Sequence, residues 1–279
     1  MMCQTAPEGE AHFISTMDDH MNLCGQMVRA FGNDRFQRPA PYDEIVYVVE
    51  NHDRGWKHYD LHPRLDPDTR LPYLMSQTPT PDALVTNKGS PDFNEARHPY
   101  CGLLSSMHTC GIYNGRYGLS QFKVPPRKPP PPGDVALKAS INAMLEAETD
   151  RQNRLKAALK GDPRTAAWIG DKRLFQNFKQ LQFFDTLSLY FHLRGAADRT
   201  TEVFIHVPVS AEEDASVTAR KLSDFEYSLD PFPFAGHCLK ITCGGWYFHR
   251  YPEDADPALL GDALRAAPRA SQTFTLIAA

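Results

Sequence analysis

The chain has 279 residues, of which 42% are hydrophobic, and a formal net charge of -4. That is enough apolar material for one substantial core, and the acidic balance excludes electrostatic capture of nucleic acid. No apolar run approaches the roughly 20 residues that a membrane helix needs. Six scattered cysteines without CxxC spacing, behind no basic and apolar leader, predict reduced thiols in the cytoplasm rather than disulfides or a zinc knuckle.

In chain order, "MDDHMNLCGQMVRAFGN" reads as a helix with Leu23, Cys24, Met27, Val28 and Phe31 on its apolar side. Asp18 or Asp19 can cap it and Gly32 ends it. His20 lies on the same side. "PYDEIVYVVENHDRGW" reads as a second helix, in which Ile45, Val48, Val49, His52 and Trp56 follow helical spacing and Asp53 stands beside His52. The stretch from Leu61 to Phe93 reads as a long Pro- and Asp-rich loop, a length typical of lids and substrate walls. "HPYCGLLSSMHTCGIY" is a third helix, whose stripe of Tyr100, Leu103, Leu104 and Met107 includes His108, with His98 near its start. The segment 124–133 is a proline-rich connector, also of the type that binds partners as polyproline. A charged helix follows, in which Leu145, Leu155 and Leu159 pack and Glu148 faces solvent. In "DKRLFQNFKQLQFFDTLSLYFHLRG", Leu174, Phe178, Leu181, Asp185 and Ser188 share a helix face.

After Gly195 the texture changes to β-branched and aromatic runs, "TEVFIHVPV", "CLKITCGGWYFHRY" and "SQTFTLIAA", with Gly244-Gly245 as a hairpin turn. The expected architecture is mainly α. Residues 1–200 form a helical bundle, and 201–279 form a small β-rich extension packed on the same domain.

Four helices thus set ligand-type residues on apolar faces: His20, His52 with Asp53, His108 with His98, and Asp185. A lone inward histidine is ordinarily a hydrogen-bonded core residue. Imidazoles and carboxylates converging from four helices are what a divalent transition metal needs.

The order His20, His52-Asp53, His108, Asp185 resembles the HD-domain superfamily of metal-dependent enzymes. More narrowly, "HDRGW", "SSMHTCGIY", "FFDTLSLYF" and "DPFPFAG" resemble the bacterial family called domain of unknown function 3891, from about Phe13 to about Phe248. The resemblance implies an HD-like bundle in which His20, His52, Asp53 and Asp185 are the core ligands and Asp53 bridges two metals. His108 and His98 would complete a second site. The superfamily's lysine three residues after the pair is replaced here by Trp56, with Lys57 next. An aromatic at that position can wall a pocket or stack on a substrate. Arg97 and Arg116 bracket the His108 helix and can clamp a carboxylate or phosphate. His58 and His62 fall at the rim, and His192 lies one face-repeat beyond Asp185.

No nucleophile elbow, glycine-rich phosphate loop or dinucleotide fingerprint is present. The leading expectation is a di-iron oxygenase that uses dioxygen to oxidise a small polar substrate. The alternatives are a phosphohydrolase using metal-activated water, for which Mn, Co or Zn serves as well as Fe, and a non-enzymatic metal-binding module.

Overall fold

The computed structural model describes residues 1–122 and 133–279, so the proline-rich connector lies, but for its last residue, outside the described part. The helices are α1 (Met17–Ala30), α2 (Tyr42–Val49), α3 (Lys57–Leu61), α4 (Thr80–Arg97), α5 (Pro99–Tyr113), α6 (Val135–Gly161), α7 (Asp171–Leu193) and α8 (Leu260–Ala266). The strands are β1 (Met2–Cys3), β2 (His12–Ser15), β3 (Glu202–Pro208), β4 (Asp214–Lys221), β5 (Glu226–Asp230), β6 (Cys238–Phe248) and β7 (Arg269–Ala278). They form a seven-stranded curled sheet in the order β1-β2-β6-β7-β5-β4-β3, antiparallel except for β5 with β7.

This corrects the expected fold. With 50% of residues helical and 19% in strands, a half-barrel of seven strands is no appendage on a helical bundle. The sheet takes its strands from both ends of the chain: His12 pairs with Phe248 and Ile14 with Trp246. A division at residue 200 leaves β1 and β2 on one side and the other strands on the other. The two N-terminal strands are too short to show a periodicity of their own. One hydrophobic core runs through both layers. Phe204, Val217, Tyr227, Leu229, Ile241, Phe274 and Leu276 line the inner face of the sheet. Against them lies α7, where Phe191 stacks on Phe274 at 4.4 Å between ring centres.

Gly244-Gly245 is not a turn but lies inside β6. A side chain on Gly245 would come within 2.5 Å of the Ile14 carbonyl, and one on Gly244 within 2.6 Å of Asp19. The pair is small because β2 and α1 press on it.

The helical expectations hold for α1, α5, α6 and α7, with one change of cap. Thr16, not Asp18 or Asp19, caps α1; its hydroxyl accepts from the Asp19 N–H while Asp19 returns a bond to Thr16. Two expectations fail. The second helix stops at Val49 instead of running to Trp56. The expected long loop also ends at Pro79, because residues from Thr80 onward form α4, with Pro91 inside it. The buried stripe of α4 is Thr86, Asn87, Ser90 and Asn94, helical in spacing but polar, so hydrophobic periodicity did not reveal it.

Candidate metal centre

Four pieces of chain meet between the helices. α1 supplies His20 one turn from its start. α5 supplies His108 from its third turn, and α7 supplies Asp185 from its middle. The turn after α2 supplies His52 and Asp53, and α4 holds that turn in place. Asn94 donates to the Asn51 carbonyl at 2.8 Å, and the Gly55 N–H donates to Ser90 Oγ at 3.0 Å. A side chain at Gly55 would collide with the Thr86 carbonyl at 2.0 Å, so the glycine of "DRGW" is what lets the turn lie on α4.

All five donors are buried. His20 Nε2 is 3.3 Å from His52 Nε2 and 3.3 Å from Asp185 Oδ1. His52 Nε2 lies 3.7 Å from Asp53 Oδ2 and 3.9 Å from Asp185 Oδ1. His108 Nε2 lies 3.7 Å from Asp53 Oδ1. The outer nitrogens are also held. His52 Nδ1 donates to the Val49 carbonyl at 2.8 Å, and His20 Nδ1 meets Ser188 Oγ at 2.9 Å. Such outer partners fix ring orientation and aim the inner nitrogen.

The electrostatics follow from this packing. Burial drives His52 down to about 4, the Asp53 charge opposing it. Burial also pushes His20 down, but the Cys24 thiol and the hydrogen-bonded Asp185 outweigh it, and the net direction is up. Burial would raise both carboxylates. The Arg116 guanidinium reverses this for Asp185, and His52 does so for Asp53, leaving both below the usual carboxylate range.

This donor set fits a divalent transition metal. Imidazole nitrogens and ionised carboxylates converge in a dry space, and two imidazole nitrogens face each other at 3.3 Å with room for a shared proton or a cation in its place. His20, His52, Asp53 and Asp185 are the residues that would hold the ion.

Arg116 reaches the centre, donating to Asp185 Oδ2 at 2.5 Å and to Gln182 Oε1 at 2.7 Å. It sits in a left-handed turn, Gly115–Gly118, with φ of 58°, 54°, 52° and 73° along the turn. At Arg116 and Tyr117 that backbone costs about 1–2 kcal/mol per residue. Its side chain is 15% exposed, against 3% for Asp185 and 7% for Asp53, so it marks the open side of the centre.

Other expected residues lie elsewhere. His98 caps α5, accepting from the Tyr100 N–H, and its ring packs on Trp168. Ten residues of helix separate it from His108, about 15 Å along the axis, too far to share a metal. Arg97 is exposed and lies over the Tyr47 ring. Lys57 points to Asp18 at 4.0 Å, 44% exposed. Trp56 belongs to the hydrophobic core and sits 6.0 Å from the Tyr59 ring. His58 and His62 are exposed and pack on each other. Glu148 is buried, not solvated, and pairs with Arg151 on its own helix. Residues not read as part of the centre are Cys24, 3.9 Å from His20 Nε2, together with Gln182 and Ser188, although spacing had put Cys24 and Ser188 on the right faces. Their positions carry the signal: Cys24 is one turn after His20, and Gln182 and Ser188 flank Asp185 at three residues on either side.

Among the described residues no helix is long and apolar enough to cross a membrane. A family model described as "Protein of unknown function (DUF3891)" matches residues 1–249. No curated protein and no solved structure shows a significant match.

Proposed function

We propose that this chain, which belongs to the DUF3891 family, is a metal-dependent enzyme of the HD type that hydrolyses a small phosphate ester. The observation that carries the reading is the convergence of His20, His52, Asp53 and Asp185 in one buried space, with Arg116 on its open side. The order of these donors along the chain is the order the HD superfamily uses, and it supports membership in spite of the large sheet. A bound divalent ion supplies Lewis acidity here, and Zn, Mn, Co and Fe all suit a nitrogen and oxygen donor set.

The chain's own residues do the rest. Arg116 is the cation that an anionic substrate meets first, and a guanidinium fork suits phosphate oxygens. The burial of Asp53 and Asp185 keeps bulk water from the reacting atoms. Ser188 and the Val49 carbonyl keep the two imidazoles aimed inward.

The oxygenase with two irons is the second reading. It is favoured by the His52, Asp53 and His108 group, whose donor atoms lie within 4.8 Å of one another. It has lost His98 as a ligand. The test is metal content of protein purified without added metal, followed by phosphate release from a panel of phosphomonoesters and phosphodiesters. Bound metal and hydrolysis that disappear together in Asp53→Ala support the proposal. Iron in pairs with substrate-dependent oxygen uptake replaces it with the second reading. Absence of bound metal after titration with zinc, manganese and iron overturns both.

A further inference from the structure

One imidazole at the centre has its proton placed by the heavy atoms around it. A guanidinium can only donate. Arg116 Nη1 lies 2.7 Å from the Gln182 side-chain amide, so Gln182 turns its oxygen that way. The amide nitrogen, a donor, then lies 2.8 Å from His108 Nδ1. Nδ1 is therefore the accepting nitrogen, and a neutral ring that accepts at Nδ1 carries its proton on Nε2. The flipped amide would set N–H against N–H at Arg116, so the usual ambiguity of glutamine is resolved by a partner that has no second role.

His108 Nε2–H faces the centre. Asp53 Oδ1 lies 3.7 Å from it, beyond hydrogen-bond range, so the donor is not consumed there. His52 is the opposite case, with its proton on Nδ1 in the bond to Val49 and its lone pair inward. The two rings stand 4.9 Å apart and present a donor and an acceptor to the same space.

We infer that His108 is not a metal ligand but a fixed hydrogen-bond donor to an oxygen of the bound substrate, with Gln182 and Arg116 as its positioning residues. The inference deepens the metal-centre reading and rests on it for what the donor faces. It makes the centre mononuclear. It also narrows the substrate: on the Arg116 side both protein groups are donors only, so the part of the substrate seated there presents acceptor oxygens, and the guanidinium favours those of an anion such as a phosphate.

The test uses full-length protein with 15N-labelled histidine rings, as purified and after zinc loading. Two-bond proton–nitrogen spectra report which ring nitrogen carries hydrogen, and His108→Gln identifies the His108 signals by their loss. The expected result is a protonated Nε2 and a bare Nδ1 in both states, with the same single zinc bound by wild type and His108→Gln. Gln182→Glu places an acceptor against Nδ1 and is expected to move the proton to that nitrogen; it serves as the assignment if His108→Gln does not fold. A proton on Nδ1 in wild type, or a second zinc that His108→Gln abolishes, overturns the inference. Wild type that takes up no zinc but shows the Nε2 proton overturns the metal centre and leaves the donor assignment standing.

Discussion

Two buried histidines on neighbouring surfaces of α1 and α7 have opposite fates. His20 faces Asp185 and His52, with Ser188 behind it. His192, one turn beyond Ser188 on α7, lies 5.5 Å from the His20 ring but turns toward the Cys243 thiol at 3.4 Å, with Ser15 beyond that thiol. Among the described residues no carboxylate pairs with His192. Burial first, then the neighbouring His20 and Arg199, push it well below the ordinary histidine range, so it is a neutral core ring. His20 moves the other way. An inward histidine alone says little. An inward histidine that shares its space with carboxylates is a candidate metal donor.

The comparison breaks most sharply at Asp53. Asp53→Ala is expected to lower metal affinity by more than the roughly 10–100-fold that loss of an outer partner costs. His192→Leu is expected to cost less than that range. Equal losses in the two variants, read by zinc titration, would mean that His192 belongs to the same site as Asp53. The next effect is Arg116→Ala. It takes the guanidinium away from the buried Asp185 and leaves His20 beside it, and the expected destabilisation of the metal-free protein is at most about 3–5 kcal/mol. Zinc is expected to recover most of it, because the ion then neutralises Asp185; urea unfolding with and without zinc is the measurement. A penalty that zinc does not change would separate Asp185 from the metal.

Gly55→Ala sharpens the comparison without touching either ring. Its methyl would strike the Thr86 carbonyl, so a loss of about 1–3 kcal/mol is expected, with weakened metal binding as the His52-Asp53 turn shifts. Stability loss with metal affinity intact would show that α4 supports the fold but not the centre. The smallest effect is a pH slope. His192 has a depressed folded value, so its contribution is present above the unfolded value near 6.5 and is lost as pH falls toward the folded one. Zinc-loaded His192→Leu is therefore expected to lose less stability than wild type between pH 7 and 5, by at most the slope of one proton, about 1.4 kcal/mol per pH unit. Parallel slopes would show that burial does not depress His192 in the fold.

The sequence carried the centre better than the architecture. His20, His108 and Asp185 stand out because each is polar at an otherwise apolar helical position. His52-Asp53 stands out too, although the helix assumed for it ends at Val49. The reading failed where periodicity misled or was silent. His98 shared a helix with His108, and only the rise along the axis sets it apart. Trp56 and Lys57 looked like pocket residues by proximity in sequence, but a turn sends one into the core and the other to Asp18. α4 hid behind its polar buried stripe, and the extent of the sheet behind two short strands and a glycine pair whose role is close approach. Gln182 signalled itself only by standing three residues from Asp185; its importance comes from Arg116, which reaches it across 66 residues of chain.

The seam between β2 and β6 joins residues 12 and 248 directly. α1 begins immediately after β2, and its first turn is tied across that seam by Arg269 to Asp19 and farther along by Gln26 to Thr242. His20 is thus placed by the far end of the polypeptide. Contacts so far apart in sequence form slowly. The candidate centre is therefore late to assemble: a growing chain would not present it until β6 and β7 had emerged.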